Sequence, residues 1–301
     1  MYTVAAFYKF SPLSADRAPW LRAETEAVCR DNHVRGLILL GTEGINATVC
    51  GTPDAVTDLL GFLQSVPEIG VFDARLSESP FPVFDRLKVE VRDEIVTLKR
   101  PDIVPNADTD GSHLSPQAWH DALTTGTGYL LLDTRNGFEV AIGAFRGAVD
   151  PKTRDFADLQ TWVQEQSIPR DTPVLMYCTG GIRCEKAAIL LRQEGFGSVR
   201  QLQGGILNYL ETFGDTGAFD GECFVFDKRV AVDAALNPSR TYTLCPFCGD
   251  PASAAVTCAR CGKSGVLCGG CAGREPSACG QDCAYHLSFA AFASAKMNTK
   301  K

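Results

Sequence analysis

Residues 177–187 read YCTGGIRCEKA. An apolar run, PVLMY (173–177), precedes them, and a helix-forming run, EKAAILLRQEGF (185–196), overlaps their end. A strand that turns through two glycines into a helix indicates an α/β domain, where functional groups collect beyond the carboxyl ends of strands. Cys178 occupies that end. A free thiol, with a pKa of about 8.5, is only slightly ionised at neutral pH. The stretch from Cys178 to Arg183 supplies three terms that favour the thiolate. Gly180 and Gly181 let successive backbone N–H groups converge on one point. The helix that follows adds the positive end of its dipole. Arg183 adds a permanent charge. A cysteine that only ends a core strand needs none of this, so Cys178 reads as a reactive thiolate. Cys184 reads either as a packing residue in the first helical turn or as a partner that closes a disulfide on Cys178.

Strands and helices alternate on both sides of this loop. SPQAWHDALTTG (115–126) is a capped helix and GYLLLDTR (128–135) an apolar strand ending at Asp133. FADLQTWVQEQ (156–166) is a helix, SVRQLQGG (198–205) a strand, and GILNYLETFG (205–214) a helix. Such alternation predicts a parallel sheet with helices on both faces. The first 77 residues differ. TVAAFYKF, GLILL, INATVCG and IGVFDARL read as strands, separated by two helical stretches. Ser14 is a candidate N-cap for the first helix. Thr52-Pro53 caps and opens the second. The order βαββαβ predicts two helices on an antiparallel sheet. RLKVEVRDEIVTL (86–98) alternates with period two around Asp93-Glu94 and reads as a hairpin. Gly44 and Asn46 read as turn chemistry. PDIVPNADTDGSH (101–113) reads as a linker.

Eight of the 13 cysteines fall between Cys245 and Cys283. Cys245-Pro-Phe-Cys248-Gly and Cys258-Ala-Arg-Cys261-Gly are knuckles of the kind that hold zinc. Cys268, Cys271, Cys279 and Cys283 add four more thiols, predicting two four-cysteine structural zinc sites. The spacing leaves open whether the pairs combine sequentially or crosswise. The net charge of −7 argues against bulk nucleic-acid binding. Residues 241–301, with 6 basic and 3 acidic side chains, form the one net basic segment. Arg86, Lys88, Arg92, Lys99 and Arg100, with Phe81 and Phe84 nearby, are a candidate RNA surface, as are Lys228 and Arg229. Glu90, Asp93 and Glu94 weaken the first patch. No stretch approaches the roughly 18 apolar residues of a membrane helix, and the N-terminus has no signal-peptide pattern. A cytoplasmic chain is expected. There is no G-x-G-x-x-G, and four histidines give no evident iron cluster, so no flavin or iron motif is evident.

Cys178 to Arg183 resembles the six-residue active loop of the rhodanese family, which begins at the catalytic cysteine. Related phosphatases of that fold use a loop one residue longer, which disfavours phosphate chemistry here. Asp133-Thr-Arg135-Asn-Gly-Phe-Glu139, followed by Gly143 and Arg146-Gly147-Ala148, resembles a second signature of the family. The resemblance implies that Asp133 and Arg135 lie near the active loop, as catalytic residues or as a structural ion pair, and that Glu139 partners an arginine. DTRNGFEVAIGAFRGAVDP (133–151), YCTGGIRCEKA, LQGGILNYLE (202–211) and GECFVFDKRV (221–230) together look like the bacterial rhodanese-like tRNA uridine hydroxylases. GLILLGTEGINATVCG (36–51) and residues 86–98 belong to the same pattern, so the resemblance covers about residues 1–240. Ala47 stands where that family usually has glycine, a departure that bears on turn packing.

The resemblance implies a ferredoxin/acylphosphatase-like domain over residues 1–100 and, after a linker at 101–112, a rhodanese-like catalytic domain over 113–240. The zinc-binding tail is then 241–301. It also implies O2-dependent 5-hydroxylation of the wobble uridine in a subset of tRNAs, with tRNA and an electron donor as partners. The catalytic candidates are Cys178, Arg183, Gly180, Gly181, Asp133 and Arg135. One route has the thiolate add to C6 of the uridine; another has Cys178 carry oxidised or sulfane sulfur. A sulfurtransferase bearing a persulfide on Cys178 and a non-catalytic RNA- or protein-binding module are the alternatives. The sequence names neither the donor nor the oligomeric state.

Overall fold

The computed structural model describes residues 1–105, 112–274 and 276–288. The N-terminal alternation folds as expected into β1 (Tyr2–Phe10), α1 (Arg17–Asp31), β2 (Arg35–Gly41), β3 (Gly44–Gly51), α2 (Pro53–Ser65) and β4 (Ala74–Ser79). β5 (Leu87–Val91) completes a sheet of order β4-β1-β3-β2-β5. The first four strands pair antiparallel, and β5 lies parallel to β2 at the edge. Leu21, Leu59 and Leu63 of the helices bury against Phe7, Ile38, Leu40, Ile45 and Val49 of the strands. Thr52 caps α2, its hydroxyl accepting from the Ala55 N–H at 3.3 Å. Ser14 does not cap α1. Asp16 holds the cap position without a side-chain bond, and it is the Ser14 carbonyl that takes the Arg17 and Ala18 N–H groups.

Residues 86–98 are not a hairpin. Only the first half is a strand. Glu94, expected at an exposed turn, is buried instead and accepts from the Leu98 N–H at 2.9 Å. The Ile95 N–H donates to the Glu43 carboxylate at 2.6 Å. These side-chain bonds take the backbone groups that a returning strand would have paired. Leu98 and Ile103 then bury in the next domain's core. The expected linker thus begins inside packed structure, and its residues 106–111 lie outside the described ones.

The next layer is β6 (His113–Leu114), α3 (Pro116–Thr125), β7 (Leu130–Asp133), α4 (Gly137–Val140), β8 (Gly143–Phe145), α5 (Leu159–Glu165), β9 (Val174–Tyr177), α6 (Ile182–Gln193), β10 (Val199–Leu202) and α7 (Gly205–Phe213). β6, β10, β9 and β7 form a parallel sheet in that order. Successive residues of a strand point to opposite faces. Accordingly Val174 and Met176 of β9 pack with α5 and α6, while Leu175 and Tyr177 pack with α3 and α7. Both faces are covered, as a parallel sheet requires. No helix among the described residues is long and apolar enough to cross a membrane.

Everything up to Lys228, with Val232–Pro238, forms one compact unit; Arg229–Ala231 and the chain from Ser239 onward form another. In the second, strands Thr243–Leu244 and Pro251–Ala252 pair antiparallel, as do Ala254–Thr257 and Ser264–Leu267. In the first, one ion cluster joins the two sheets. Lys186 of α6 is fully buried, and its ammonium lies 2.7 Å from Glu43 and 2.7 Å from Glu94. Removing one partner of a buried pair strands the other charge at a cost of about 3–5 kcal/mol. Lys186→Met should therefore destabilise this unit by about that amount in urea unfolding; a loss under about 1 kcal/mol would mean the carboxylates reach water without it.

Candidate active site

β9 delivers Cys178 to the edge of the sheet, and the chain turns there because two positions accept no side chain. Gly181 has φ +105°, and a Cβ on it would sit 2.9 Å from the Tyr8 hydroxyl. Gly205, at the start of α7, comes so close that its Cβ would meet the Cys178 and Thr179 carbonyl oxygens at 2.5 Å. Those carbonyls accept from the Ile206 and Leu207 N–H groups, at 3.0 and 3.1 Å. The loop is thus tied from below to α7 and continues directly into α6. Around Gly180 there is open space.

The sulfur of Cys178 accepts a hydrogen bond from the Gly181 N–H at 3.1 Å. Burial opposes its ionisation. A hydrogen bond from Cys184, the Arg183 charge, and the Arg183 and Gly181 N–H groups outweigh burial and bring the thiol down to about 6. Burial and the Cys178 charge push Cys184 the other way, well above the ordinary thiol range. The loop thus favours the thiolate at Cys178 over Cys184, whose sulfur lies 3.6 Å from the Thr134 hydroxyl. Cys184 is fully buried in the same core cluster as Cys178.

Arg183 braces the loop from within. Its guanidinium makes two bonds to Glu139, at 2.6 and 2.8 Å. Glu139 is fully buried, and its carboxylate also accepts from the Asn136 N–H at 3.0 Å and the Thr179 hydroxyl at 3.3 Å. Burial works against the Glu139 carboxylate, but the Arg183 guanidinium holds it below the usual range. Cys178, Gly180, Gly181 and Arg183 come together as predicted. Asp133 and Arg135 lie on and just after the adjacent strand and bond to each other, fully buried, at 2.7 Å. Arg135 also donates to the Gly143 carbonyl at 2.6 Å. Their geometry is that of an ion pair fixing the strand end beside the loop.

Other side chains at the loop carried no readable signal. Tyr8 comes from β1, where it looked like one more aromatic in a strand. Its hydroxyl donates to Glu185 at 2.9 Å, and His113 and Gln201 approach the same carboxylate at 3.0 and 3.3 Å. Glu185 and Lys186 resemble a surface charge pair in sequence, yet both face inward.

Of the predicted RNA residues, Lys228 lies beside Arg86, its N–H donating to the Val83 carbonyl at 3.0 Å. Lys88 and Arg92 both pair with Glu90, and Arg100 pairs with Asp102. Arg86 is exposed, Lys228 pairs with Asp85, and Arg229 is buried. Asn46 is structural, donating to the Ile95 carbonyl at 2.9 Å.

In the tail, Cys245, Cys248, Cys268 and Cys271 converge, and so do Cys258, Cys261, Cys279 and Cys283, all sulfurs within 4.8 Å in each set. The first and third pairs combine, then the second and fourth, so the arrangement is crosswise. The knuckles repeat one backbone pattern, the Gly249 and Gly262 N–H groups each donating at 2.9 Å to the carbonyl of the first cysteine. Each set can hold one metal ion.

Three family models match along the chain: a UPF0176 acylphosphatase-like domain over residues 2–95, a rhodanese-like domain over 116–212, and a rhodanese C-terminal domain over 220–284. Curated relatives span nearly all of it. A tRNA uridine(34) hydroxylase of Bdellovibrio bacteriovorus is 38% identical over 95% of this chain and 81% of its own length. One from Acaryochloris marina is 45% identical over 84% and 80%. One from Rhizobium leguminosarum is 40% identical over 90% and 86%. With this identity sustained across all three domains, the chain belongs to the tRNA uridine(34) hydroxylase family.

Proposed function

We propose that this chain hydroxylates C5 of uridine 34, the wobble position, in tRNA, with the Cys178 thiolate as the attacking group. The relatives' shared name supports the substrate and the reaction. The observation that supports the mechanism is a buried sulfur that accepts the Gly181 N–H at 3.1 Å, in a loop where the Arg183 charge favours its ionisation.

The chemistry balances as follows. The thiolate adds to C6 and electron density moves to C5. C5 then bonds to O2 and, after taking one proton, carries a hydroperoxide. Two electrons from an external donor and two protons cleave the O–O bond, leaving a C5 hydroxyl and releasing water. Loss of the C5 proton expels the Cys178 thiolate and restores the ring. The loop N–H groups are placed to stabilise an oxyanion formed on the way. Cys178 is 1% exposed. A base reaching it is therefore flipped out of its loop and enters over Gly180, the unobstructed part of the turn. Exposed Arg86, with Lys88 and Lys228, is a candidate for the RNA backbone, Lys88 and Lys228 exchanging carboxylate partners for phosphate; Arg229 is buried and is not carried forward. A tRNA substrate fits a cytoplasmic chain.

The tail holds structural zinc. A Zn–S bond of about 2.3 Å sets tetrahedral sulfur–sulfur edges of about 3.8 Å. Cys248–Cys268 and Cys248–Cys271 are 3.5 and 3.8 Å apart, and Cys261–Cys279 and Cys279–Cys283 are both 3.7 Å. Four thiolates leave no open position, so zinc here would fold the tail rather than react.

Two outcomes follow. Cys178→Ala should abolish 5-hydroxyuridine at position 34, read by nucleoside mass spectrometry after incubation with undermodified tRNA and a reductant. Full hydroxylation by that variant would end the thiolate mechanism. Metal analysis should find about two zinc ions per chain, one for each cysteine set. Cys245→Ala with Cys271→Ala should lose one of them, and Cys248→Ala with Cys258→Ala should lose both. The opposite pattern would contradict crosswise pairing.

A further inference from the structure

Around the Cys178 loop, one cluster of partly buried polar groups has no part in the steps above. Its centre is Glu185, in the first turn of α6. Three elements converge on that carboxylate: the Tyr8 hydroxyl from β1 at 2.9 Å, the His113 imidazole from β6 at 3.0 Å, and the Gln201 amide from β10 at 3.3 Å. The Glu185 side chain is 11% exposed and His113 31%. The same hydroxyl occupies the space where a side chain on Gly181 would stand. Gly181, in turn, supplies the N–H that holds the Cys178 sulfur. Two domains therefore meet at the loop, and the N-terminal one contributes a single hydroxyl there.

We propose that Tyr8 is a positioning residue for the reaction, acting through Glu185 to keep the charge beside the Cys178 loop compatible with a thiolate. The inference rests on Cys178 being the reactive thiolate. The Tyr8 phenol feels both the Glu185 charge and the Cys178 charge, so it stands between the carboxylate and the thiolate; a carboxylate repels a thiolate less when its own charge is spread over good donors. Tyr8 suits that task. Burial and Glu185 both push its phenol up, so it stays protonated and donates. The groups facing this part of the loop are Tyr8, His113 and Gln201 from their strands, and Cys178, Cys184, Arg183 and Glu185 from the loop and α6. Lys186, the next residue, is held by Glu43 and Glu94. Arg183 is held by Glu139. Among the described residues the Glu185 carboxylate meets Tyr8, His113 and Gln201, and the Tyr8 hydroxyl also stands beside Gly181 of the loop. This arrangement gives the N-terminal domain a function in the chemistry besides any contact with RNA.

The test reads the thiol directly and needs no turnover. The rate of iodoacetamide alkylation of Cys178, resolved by peptide mass spectrometry, is followed against pH in the full-length protein. The wild type should show a midpoint near 6. Tyr8→Phe keeps the ring and removes the hydroxyl. It should raise the midpoint by about one unit, a loss of about tenfold in rate below the midpoint. Glu185→Gln removes the charge, so adding Tyr8→Phe to it should move the midpoint by less than about a third of a unit. Thermal unfolding confirms that each variant is folded. A wild-type Cys178 that titrates as an ordinary thiol overturns the thiolate reading and this inference with it. A low wild-type midpoint that Tyr8→Phe leaves in place, or shifts equally with and without the Glu185 charge, overturns the role of Tyr8 alone.

Discussion

A guanidinium locked against a carboxylate holds the Cys178 loop. Arg183 and Glu139 meet through two hydrogen bonds with almost no water around them. Charge-assisted, bidentate pairs are the strong ones, and in a dry setting they also fix direction. Glu139 is placed by the first turn of α4, where it accepts from the Asn136 N–H. Arg183 is placed by the first turn of α6. Between them runs the loop whose Thr179 hydroxyl bonds to the same carboxylate. The pair therefore sets the loop's shape and leaves a positive charge close to Cys178. It offsets part of what burial does to a thiol; at Cys223, where burial is the largest influence, the thiol is pushed up to about 12.

Charge placement also explains why the N-terminal domain is joined to the catalytic one. Lys186 sits one residue beyond Glu185, with Glu43 and Glu94 on either side. A buried ion cluster of this kind contributes little net stability compared with a packed apolar core, but it tolerates only one arrangement of its members. It fixes α6, and hence the loop, relative to β1 and Tyr8. Apolar packing supplies the bulk of the stability in each domain, and the ion cluster sets the register between them.

Much of this was legible in the sequence, and the failures share a cause. Local signals held. Thr52-Pro53 capped α2, Ser115 capped α3 through the Ala118 N–H, and the alternating apolar runs gave the parallel sheet. The glycines after Cys178 were readable because only a turn needs them. What stayed hidden depends on distant partners. Residues 92–98 have strand periodicity, yet Glu94 is drawn inward by Lys186, which lies 92 residues away. Tyr8 meets Glu185 across 177 residues. The crosswise pairing of the cysteines is likewise a matter of which knuckle folds beside which, and spacing is the same for either pairing. The weakening of the basic stretch by Glu90, visible in the sequence, appears in the structure as ion pairs from Glu90 to both Lys88 and Arg92.

The central claim is that Cys178 bonds to the base. A tRNA carrying 5-fluorouridine at position 34 tests it most directly, because fluorine on C5 blocks the proton loss that would release the enzyme. Incubation with the full-length protein, digestion and mass spectrometry should yield the Cys178 peptide joined to nucleotide 34, and Cys178→Ala should yield none. Absence of that adduct from protein that hydroxylates natural tRNA in parallel, or an adduct on another cysteine, would contradict the account.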